Sequence, residues 1–216
     1  ELFKEITTAN ELSSAWSDSY KGIARCNIIL DKLDASAVPD ALKKRYKGEA
    51  LYVRSLLYFN LAVIFCNIPL QLTDVASPAD VDLKQYPATE IYKQIITDLV
   101  AAEPLLPAKY TAADIGRVTS GAVNTLLGKV YLTNGDKASA ITALNKVVDS
   151  KIYSLATDYA KLWGAANENG PESIFEIQYK TGGQGEGSGY FEYFASILGR
   201  SGGVGGGNTP MTMTTD

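Results

Sequence analysis

The fold is decided by residues 48–65, GEALYVRSLLYFNLAVIF, in which apolar side chains dominate and no proline interrupts the run. These side chains recur at steps of three and four residues, the spacing of a helix. A helix that is apolar on two faces is usually surrounded by other helices. We therefore predict that a helix from near Asp40 to about Cys66 is the central element of the core. Its two apolar faces carry Tyr46, Ala50, Val53, Leu57, Leu61 and Ile64, and Tyr52, Leu56, Phe59 and Val63.

Two charged residues, Glu49 and Arg54, lie inside this apolar helix. A buried charge must be paired or hydrogen-bonded, because its transfer out of water is otherwise very costly. We interpret both residues as members of salt bridges that tie the central helix to its neighbours. Contact with a ligand is the alternative.

Four further segments have helical spacing and the residue types that are typical of helix ends. They span about Asn10 to Leu33, Thr89 to Leu99, Thr119 to Asn134, and Asp136 to Ser150. The polar stretch from Gln71 to Pro87 is predicted to be a surface loop. The predicted fold class is therefore all-α.

The last two of these helices have the spacing of a tetratricopeptide repeat. Small, aromatic and large residues occur at the offsets of that repeat, where a small residue allows two helices to cross closely. They are Gly128, Tyr131, Ala140, Leu144 and Val147. A generic helical hairpin is the alternative, and no second copy follows at a strict 34-residue period, so we expect irregular helix pairs.

The character of the sequence changes after Asp149. Residues 174–179 alternate apolar and polar side chains, which predicts a short strand. Residues 182–207 contain eleven of the nineteen glycines, a density that predicts a long loop because glycine costs much backbone entropy. We divide the chain into a helical domain, residues 1–180, and a Gly-rich aromatic loop, residues 181–216.

Composition excludes several classes of function. The formal net charge of −4 provides no basic surface for nucleic acid. The chain has no histidine, so neither a Ser-His-Asp arrangement nor a zinc site with imidazole ligands can form. We predict no catalytic residues, no metal site and no cofactor, and therefore no enzyme activity.

The remaining acidic residues and the two cysteines are given structural interpretations. The acidic residues of the loops, among them Asp74, Asp80, Asp82, Glu186 and Glu192, are interpreted as solvated charges. Cys26 and Cys66 are interpreted as buried thiols.

An aromatic cluster lies within the Gly-rich stretch, where no helical or strand period would bury it. Aromatic rings stack on the C–H groups of sugars while nearby polar groups bind the hydroxyls. We predict ligand contacts from Tyr190, Phe191, Tyr193 and Arg200. The alternative is that this cluster packs the loop onto the domain.

Several motifs occur in order between residues 10 and 180. They are the run from Trp16 to Leu30, the central helix from Gly48 to Leu61 with its exit Ile68-Pro69-Leu70, the segment from Ile91 to Leu99, Gly116-Arg117-Val118-Thr119, Leu126 to Leu132, and Pro171 to Ile177. This ordered set resembles the SusD/RagB family of outer-membrane nutrient-binding proteins. In that family the central helix usually ends in Phe-Gly, whereas this chain has Phe65-Cys66.

The resemblance implies irregular tetratricopeptide-like helix pairs, a SusD-like fold, with a loop-rich half that binds ligand. It implies a lipoprotein on the outer membrane of a Gram-negative bacterium, facing outward, which captures glycans, or sometimes peptides. Its partner would be a SusC-like TonB-dependent transporter, which it caps. The lipid anchor and the long C-terminal region of the family are not found, so this chain resembles an internal fragment. A tetratricopeptide module that binds a protein or peptide is the alternative.

Overall fold

The computed structural model describes residues 10–162 and 165–179. Its helices are α1 (Asn10–Lys32), α2 (Asp40–Phe65), α3 (Ala88–Ala102), α4 (Ser120–Thr133) and α5 (Lys137–Asp149). Strands β1 (Ile68–Pro69) and β2 (Gln85–Tyr86) pair antiparallel, with Ile68 opposite Tyr86. Short 3₁₀ turns cover Pro78–Asp80, Glu103–Leu105, Ala112–Asp114, Tyr159–Leu162 and Ala165–Asn167. The predicted all-α class is confirmed, and so are the five predicted helices.

The α4–α5 hairpin forms because its ends and its crossing point are specified locally. The side chain of Thr119 accepts a hydrogen bond from the backbone N–H of Ala122 at 3.1 Å, and this caps α4. Asp136 caps α5 in the same way, through the N–H of Ser139 at 3.0 Å. A side chain at Gly128 would come within 2.5 Å of Leu144, so the small residue lets the two helices approach closely. The spacing that predicted this hairpin is therefore explained by contact.

Helix α2 is the central element of the core and packs against both α1 and α3. Tyr58 and Leu61 are almost inaccessible to solvent. The length and apolar composition of α2 would suit a membrane span, but more than half of that segment is buried against the rest of the protein. The two predicted apolar faces are not buried along their whole length: Val53, Val63 and Ile64 have exposed fractions of 37%, 52% and 50%.

A buried ion pair joins the first three helices. Arg54 of α2 donates two hydrogen bonds to Asp98 of α3, at 2.8 and 2.9 Å, and a third to the side-chain oxygen of Asn27 of α1, at 2.8 Å. Its fourth goes to the carbonyl of Leu72 at 3.0 Å. Arg54, Asp98 and Asn27 are 6%, 4% and 0% exposed. The predicted structural salt bridge at Arg54 is confirmed.

The same cluster fixes the chain as it leaves α2. Asn27 donates to the carbonyls of Gln71 and Thr73, at 3.0 and 3.1 Å. The hydroxyl of Tyr58 donates to the carbonyl of Gln71 at 2.6 Å and accepts from its N–H at 2.8 Å. Side chains of the core therefore satisfy a stretch of backbone that has no long strand to pair with.

Several predictions about the connecting segments are wrong. The segment from Gln71 to Pro87, predicted to be a loop, contains β2. Burial of Ile68 fixes β1, and the chain pairs with β1 just before α3 begins. The predicted strand at 174–179 is not formed in the described residues, where Ile177 and Tyr179 are exposed. Alternation alone does not supply a partner strand. The described residues up to Glu176 belong to one compact unit, and the domain boundary at residue 180 stays a prediction.

Cys66, which was predicted to be buried, is exposed and ends α2 in a strained conformation. Its φ is 62° and its ψ is −84°, and its N–H bonds to the carbonyl of Ala62 at 3.0 Å. A residue with a Cβ adopts such angles at a cost of about 1–3 kcal/mol, whereas glycine adopts them readily. This is the position at which the SusD/RagB family usually has glycine. The other thiol, Cys26, is buried as predicted.

We expect Arg54→Ala to lower the free energy of unfolding by about 3–5 kcal/mol, because it leaves the carboxylate of Asp98 buried without its main partner. Chemical denaturation followed by circular dichroism would measure the loss. Arg25→Ala is the matched control, since Arg25 is exposed on α1, and we expect a change within about 0.5 kcal/mol. Equal effects of the two substitutions would contradict the central role of the ion pair.

We expect Cys66→Gly to raise the free energy of unfolding by about 1 kcal/mol, because glycine relieves the strain at the end of α2. Thermal unfolding under reducing conditions would measure the gain. Cys66→Ala removes the thiol but keeps the Cβ, so its stability should stay close to that of the parent chain. A gain in both variants would assign the effect to the thiol and not to the backbone.

Candidate functional site: two clefts beside residues 170–176

Residues 170–176, here called the ridge, have a cleft on each side. Backbone contacts hold the ridge in place: the N–H of Ser154 donates to the carbonyl of Pro171 at 3.0 Å. The carboxylate of Glu172 accepts from the N–H of Ala156 at 2.7 Å. Glu176 accepts from the N–H of Asn169 at 3.1 and 3.2 Å. Two carboxylates of the ridge are therefore occupied in fixing its position.

One side of the ridge faces a cleft of about 380 Å³, here called the tyrosine cleft. Its walls combine aromatic rings with planar polar side chains. Six of its lining residues are Tyr110, Arg117, Thr119, Tyr153, Asn169 and Phe175.

Tyr153 reaches this cleft because the start of α4 leaves room for it. A Cβ at Gly121 would collide with the Tyr153 hydroxyl, so only glycine fits there without displacing the ring. The hydroxyls of Tyr153 and Thr119 are 3.2 Å apart and hydrogen-bonded. The cap of α4 is therefore also part of the cleft wall.

Arg117 connects the lining of this cleft to a network of two arginines and two carboxylates. Arg117 donates to both oxygens of Glu49, at 2.8 and 2.6 Å, which raises the pKa of its guanidinium. Arg45 pairs with Asp114 at 3.2 Å. Both guanidinium groups lie near the ring of Tyr46, with 5.4 Å for Arg45 and 5.9 Å for Arg117 to its centroid. The predicted salt bridge at Glu49 is confirmed, and its partner Arg117 precedes α4.

Tyr110 lines the tyrosine cleft with a hydroxyl that is shielded from solvent and has no hydrogen-bond partner in the described part of the chain. Burial raises the pKa of Tyr110, and the nearby Glu49 carboxylate acts in the same direction. The hydroxyl is therefore protonated at neutral pH and can donate. Since an unsatisfied buried hydroxyl costs about 1–3 kcal/mol, this group favours a bound polar partner.

The other side of the ridge faces a cleft of about 750 Å³, here called the wide cleft, between the ridge and helices α2 and α4. Tyr52 and Phe175 meet edge to face within it, with ring centroids 5.2 Å apart. Burial raises the pKa of Tyr52 to about 12. The ammonium of Lys129 and the exposed carboxylate of Glu168 line the same space. The wide cleft thus has an apolar floor and charged groups at its border.

The sequence predicts four ligand contacts. Tyr190, Phe191, Tyr193 and Arg200 lie outside the described residues, so their role stays a prediction. Sequence reasoning missed Tyr110 and Tyr153, because neither belongs to a periodic pattern. The motif Gly116-Arg117-Val118-Thr119 marked the region, but it carried no statement about chemistry.

The described residues contain no cluster of three potential metal ligands. The loop acids have local structural roles instead. Asp80 accepts from the N–H of Ser77 at 3.0 Å, and Asp82 accepts from the hydroxyl of Tyr86 at 2.9 Å. The N–H of Lys84 and the hydroxyl of Tyr86 lower the pKa of Asp82.

Comparison with known sequences identifies the family. Residues 3–132 match the SusD-like family model described as "Starch-binding associating with outer membrane". The SusD-like protein P25 of Formosa agariphila is 22% identical over 169 residues, which are 78% of this chain and 32% of that protein. A SusD-like protein of Bacteroides ovatus is 27% identical over 191 residues, 81% of this chain and 34% of that protein. The chain thus spans about a third of the length of these relatives.

Solved structures with the same fold include sugar-binding proteins. A laminarin-binding SusD-like protein has 33% identity and a TM-score of 0.74, with 77% of this chain and 38% of that chain covered. A SusD-like carbohydrate-binding protein from Bacteroides fragilis has 26% identity and a TM-score of 0.77, with 81% and 34% covered. The predicted SusD-like arrangement of helix pairs is therefore confirmed.

Proposed function

Because the chain belongs to the SusD-like family, whose members bind glycans in association with the outer membrane, we propose that it takes part in glycan capture without cleavage. The observation that carries this proposal is the family match over residues 3–132. The laminarin-binding relative supports it. In the proposed arrangement a lipid anchor holds the whole protein at the outward face of the membrane. The captured glycan then passes to a SusC-like TonB-dependent transporter.

The described carboxyl groups whose pKa is shifted are hydrogen-bond acceptors of the scaffold, outside both clefts. Glycoside hydrolysis needs a carboxyl group whose raised pKa lets it donate a proton. In the described part of the chain, the carboxyl groups with a shifted pKa are all lowered: those of Asp82, Glu103 and Asp136. At Glu103 burial acts to raise the pKa, but hydrogen bonds from Lys146 and Asn124 outweigh it. These groups stay ionised at neutral pH and suit hydrogen-bond acceptance.

The proposed ligand contacts are the aromatic residues Tyr190, Phe191 and Tyr193, together with Arg200. Their chemistry supports this role: ring faces stack on the C–H groups of a sugar, and a guanidinium donates to its hydroxyls.

The second candidate function is a tetratricopeptide-type module for a protein or peptide. The observation that favours it is an apolar face on α5, where Ile141 and Val148 are 59% and 62% exposed. These residues are seven positions apart and therefore lie on one side of the helix. A peptide or protein could dock there without any sugar affinity.

We expect at least one neutral polysaccharide, with laminarin as the first to test, to slow this chain in native gels that contain the polymer. Glycan capture retards a protein whose mobility in a plain gel is normal. Bovine serum albumin in the same gels controls for sieving. If no glycan slows the chain while a peptide library yields a binder, the tetratricopeptide module replaces glycan capture.

We expect the triple substitution Tyr190→Ala, Phe191→Ala and Tyr193→Ala to weaken binding of the retarding glycan at least tenfold. Loss of ring stacking is worth about 0.5–1.5 kcal/mol for each contact, and 1.4 kcal/mol is a factor of ten. Isothermal titration with an oligosaccharide would measure the affinity. Tyr179→Ala is the control, since Tyr179 is exposed and outside the proposed contacts. Unchanged affinity in the triple variant would remove these residues from the site.

A further inference from the structure

We propose that the tyrosine cleft is a sugar-binding subsite on the helical scaffold, and that it accepts neutral glycans and excludes anionic ones. The inference rests on the proposed glycan capture. It assigns contacts in addition to those proposed for Tyr190, Phe191, Tyr193 and Arg200, and it names the class of glycan.

The shape and lining of the cleft suit one or two sugar rings. Its volume of about 380 Å³ falls within the range of about 300–1,000 Å³ that is common for small-molecule sites. The rings of Tyr110, Tyr153 and Phe175 provide apolar surface for C–H groups. Asn169 and Thr119 add an amide and a hydroxyl to the same lining. Stacking surface next to short polar groups is the combination that a sugar needs.

Its fixed walls make the subsite ready for binding. Tyr153 is held by Thr119 and by the absence of a side chain at Gly121. The ridge is held by Glu172 and Glu176, which accept backbone N–H groups. A site whose walls are already ordered loses less conformational entropy when a ligand enters.

The unpartnered hydroxyl of Tyr110 favours a polar ligand. It is buried without a partner in the described part of the chain, although its ring lines the cleft. Because the hydroxyl is shielded from solvent, a sugar hydroxyl reaches it only after neighbouring side chains shift, and the new hydrogen bond then displaces none inside the protein. Each such bond strengthens binding by about three- to tenfold.

The charges of the cleft select a neutral sugar. Arg117 uses two of its donors on Glu49, and Arg45 faces Asp114. Of these four groups only Arg117 lines the cleft, and its charge is neutralised by Glu49. Lys109 and Glu176, one ammonium and one carboxylate, also line it. A sulfate or a uronate would therefore meet a guanidinium that already holds a carboxylate.

The first test is Tyr110→Phe, assayed by isothermal titration with a neutral oligosaccharide such as a laminarin fragment. We expect affinity to fall about three- to tenfold, the value of one hydrogen bond. Thermal stability should be unchanged or higher, because the hydroxyl has no partner to lose. Tyr131→Phe, on α4 and outside the cleft lining, is the matched control and should bind like the parent chain.

The second test is Glu49→Gln, which removes the charge that neutralises Arg117. We expect this variant to gain retardation by an anionic polysaccharide such as alginate, which should not slow the parent chain. The assay is native electrophoresis with laminarin and alginate in parallel gels. This gain of binding cannot arise from simple loss of folding.

The outcomes separate the subsite from the general function. If Tyr110→Phe binds like the parent while the triple aromatic variant loses affinity, glycan capture stands and the subsite is wrong. If the parent chain prefers alginate to laminarin, the neutral class is wrong. If the parent binds neither glycan nor any other polysaccharide, the proposed function fails, and the subsite fails with it.

Discussion

The structure depends on one guanidinium group. Arg54 reaches from the middle of α2 to α1, to α3 and to the chain that leaves α2, and it uses four hydrogen bonds to do so. Burial of an ion pair is not in itself a large source of stability, because the desolvation cost offsets much of the attraction. What the pair supplies is specificity: an apolar residue of similar size would fill the space, but it would not fix the register of three helices and a loop. Removal of one partner is costly for the same reason, since the other remains buried.

Much of this arrangement could be predicted from the sequence, because helices follow from local information. The spacing of apolar residues predicted all five helices, and Thr119 and Asp136 are residue types whose side chains cap helices. A charge within an apolar helix predicted a salt bridge at Arg54. Its partner Asp98 could not be identified, since it lies 44 positions away in the sequence and only packing brings the two together.

The failures at the two predicted connecting segments concern features that depend on non-local pairing. The two-residue strands form because buried Ile68 and the segment before α3 meet, and no periodicity marks so short a ladder. Alternation at 174–179 predicted a strand, but a strand also needs a neighbour to bond with. Cys66 follows an apolar helix, and for that reason it was predicted to be buried. The strained turn that exposes it could be anticipated only from the glycine that the family usually has at this position.

The candidate clefts were the hardest feature to predict, because loops from three parts of the chain form them. Tyr110 and Arg117 come from the connection before α4, Tyr153 follows α5, and the ridge lies further along the chain. Local contacts fix the walls of the clefts. Thr119 caps α4, Gly121 leaves space for the ring of Tyr153, and Glu172 accepts a backbone N–H. The Glu172 carboxylate and the Thr119 hydroxyl are thus committed to holding the walls, and Glu49 is paired with Arg117. Such a surface can recognise hydroxyl groups by fixed hydrogen bonds, whereas bond cleavage would need a carboxyl group held protonated. The chemistry of the clefts and the glycan-binding character of the family therefore support the same kind of function from independent observations.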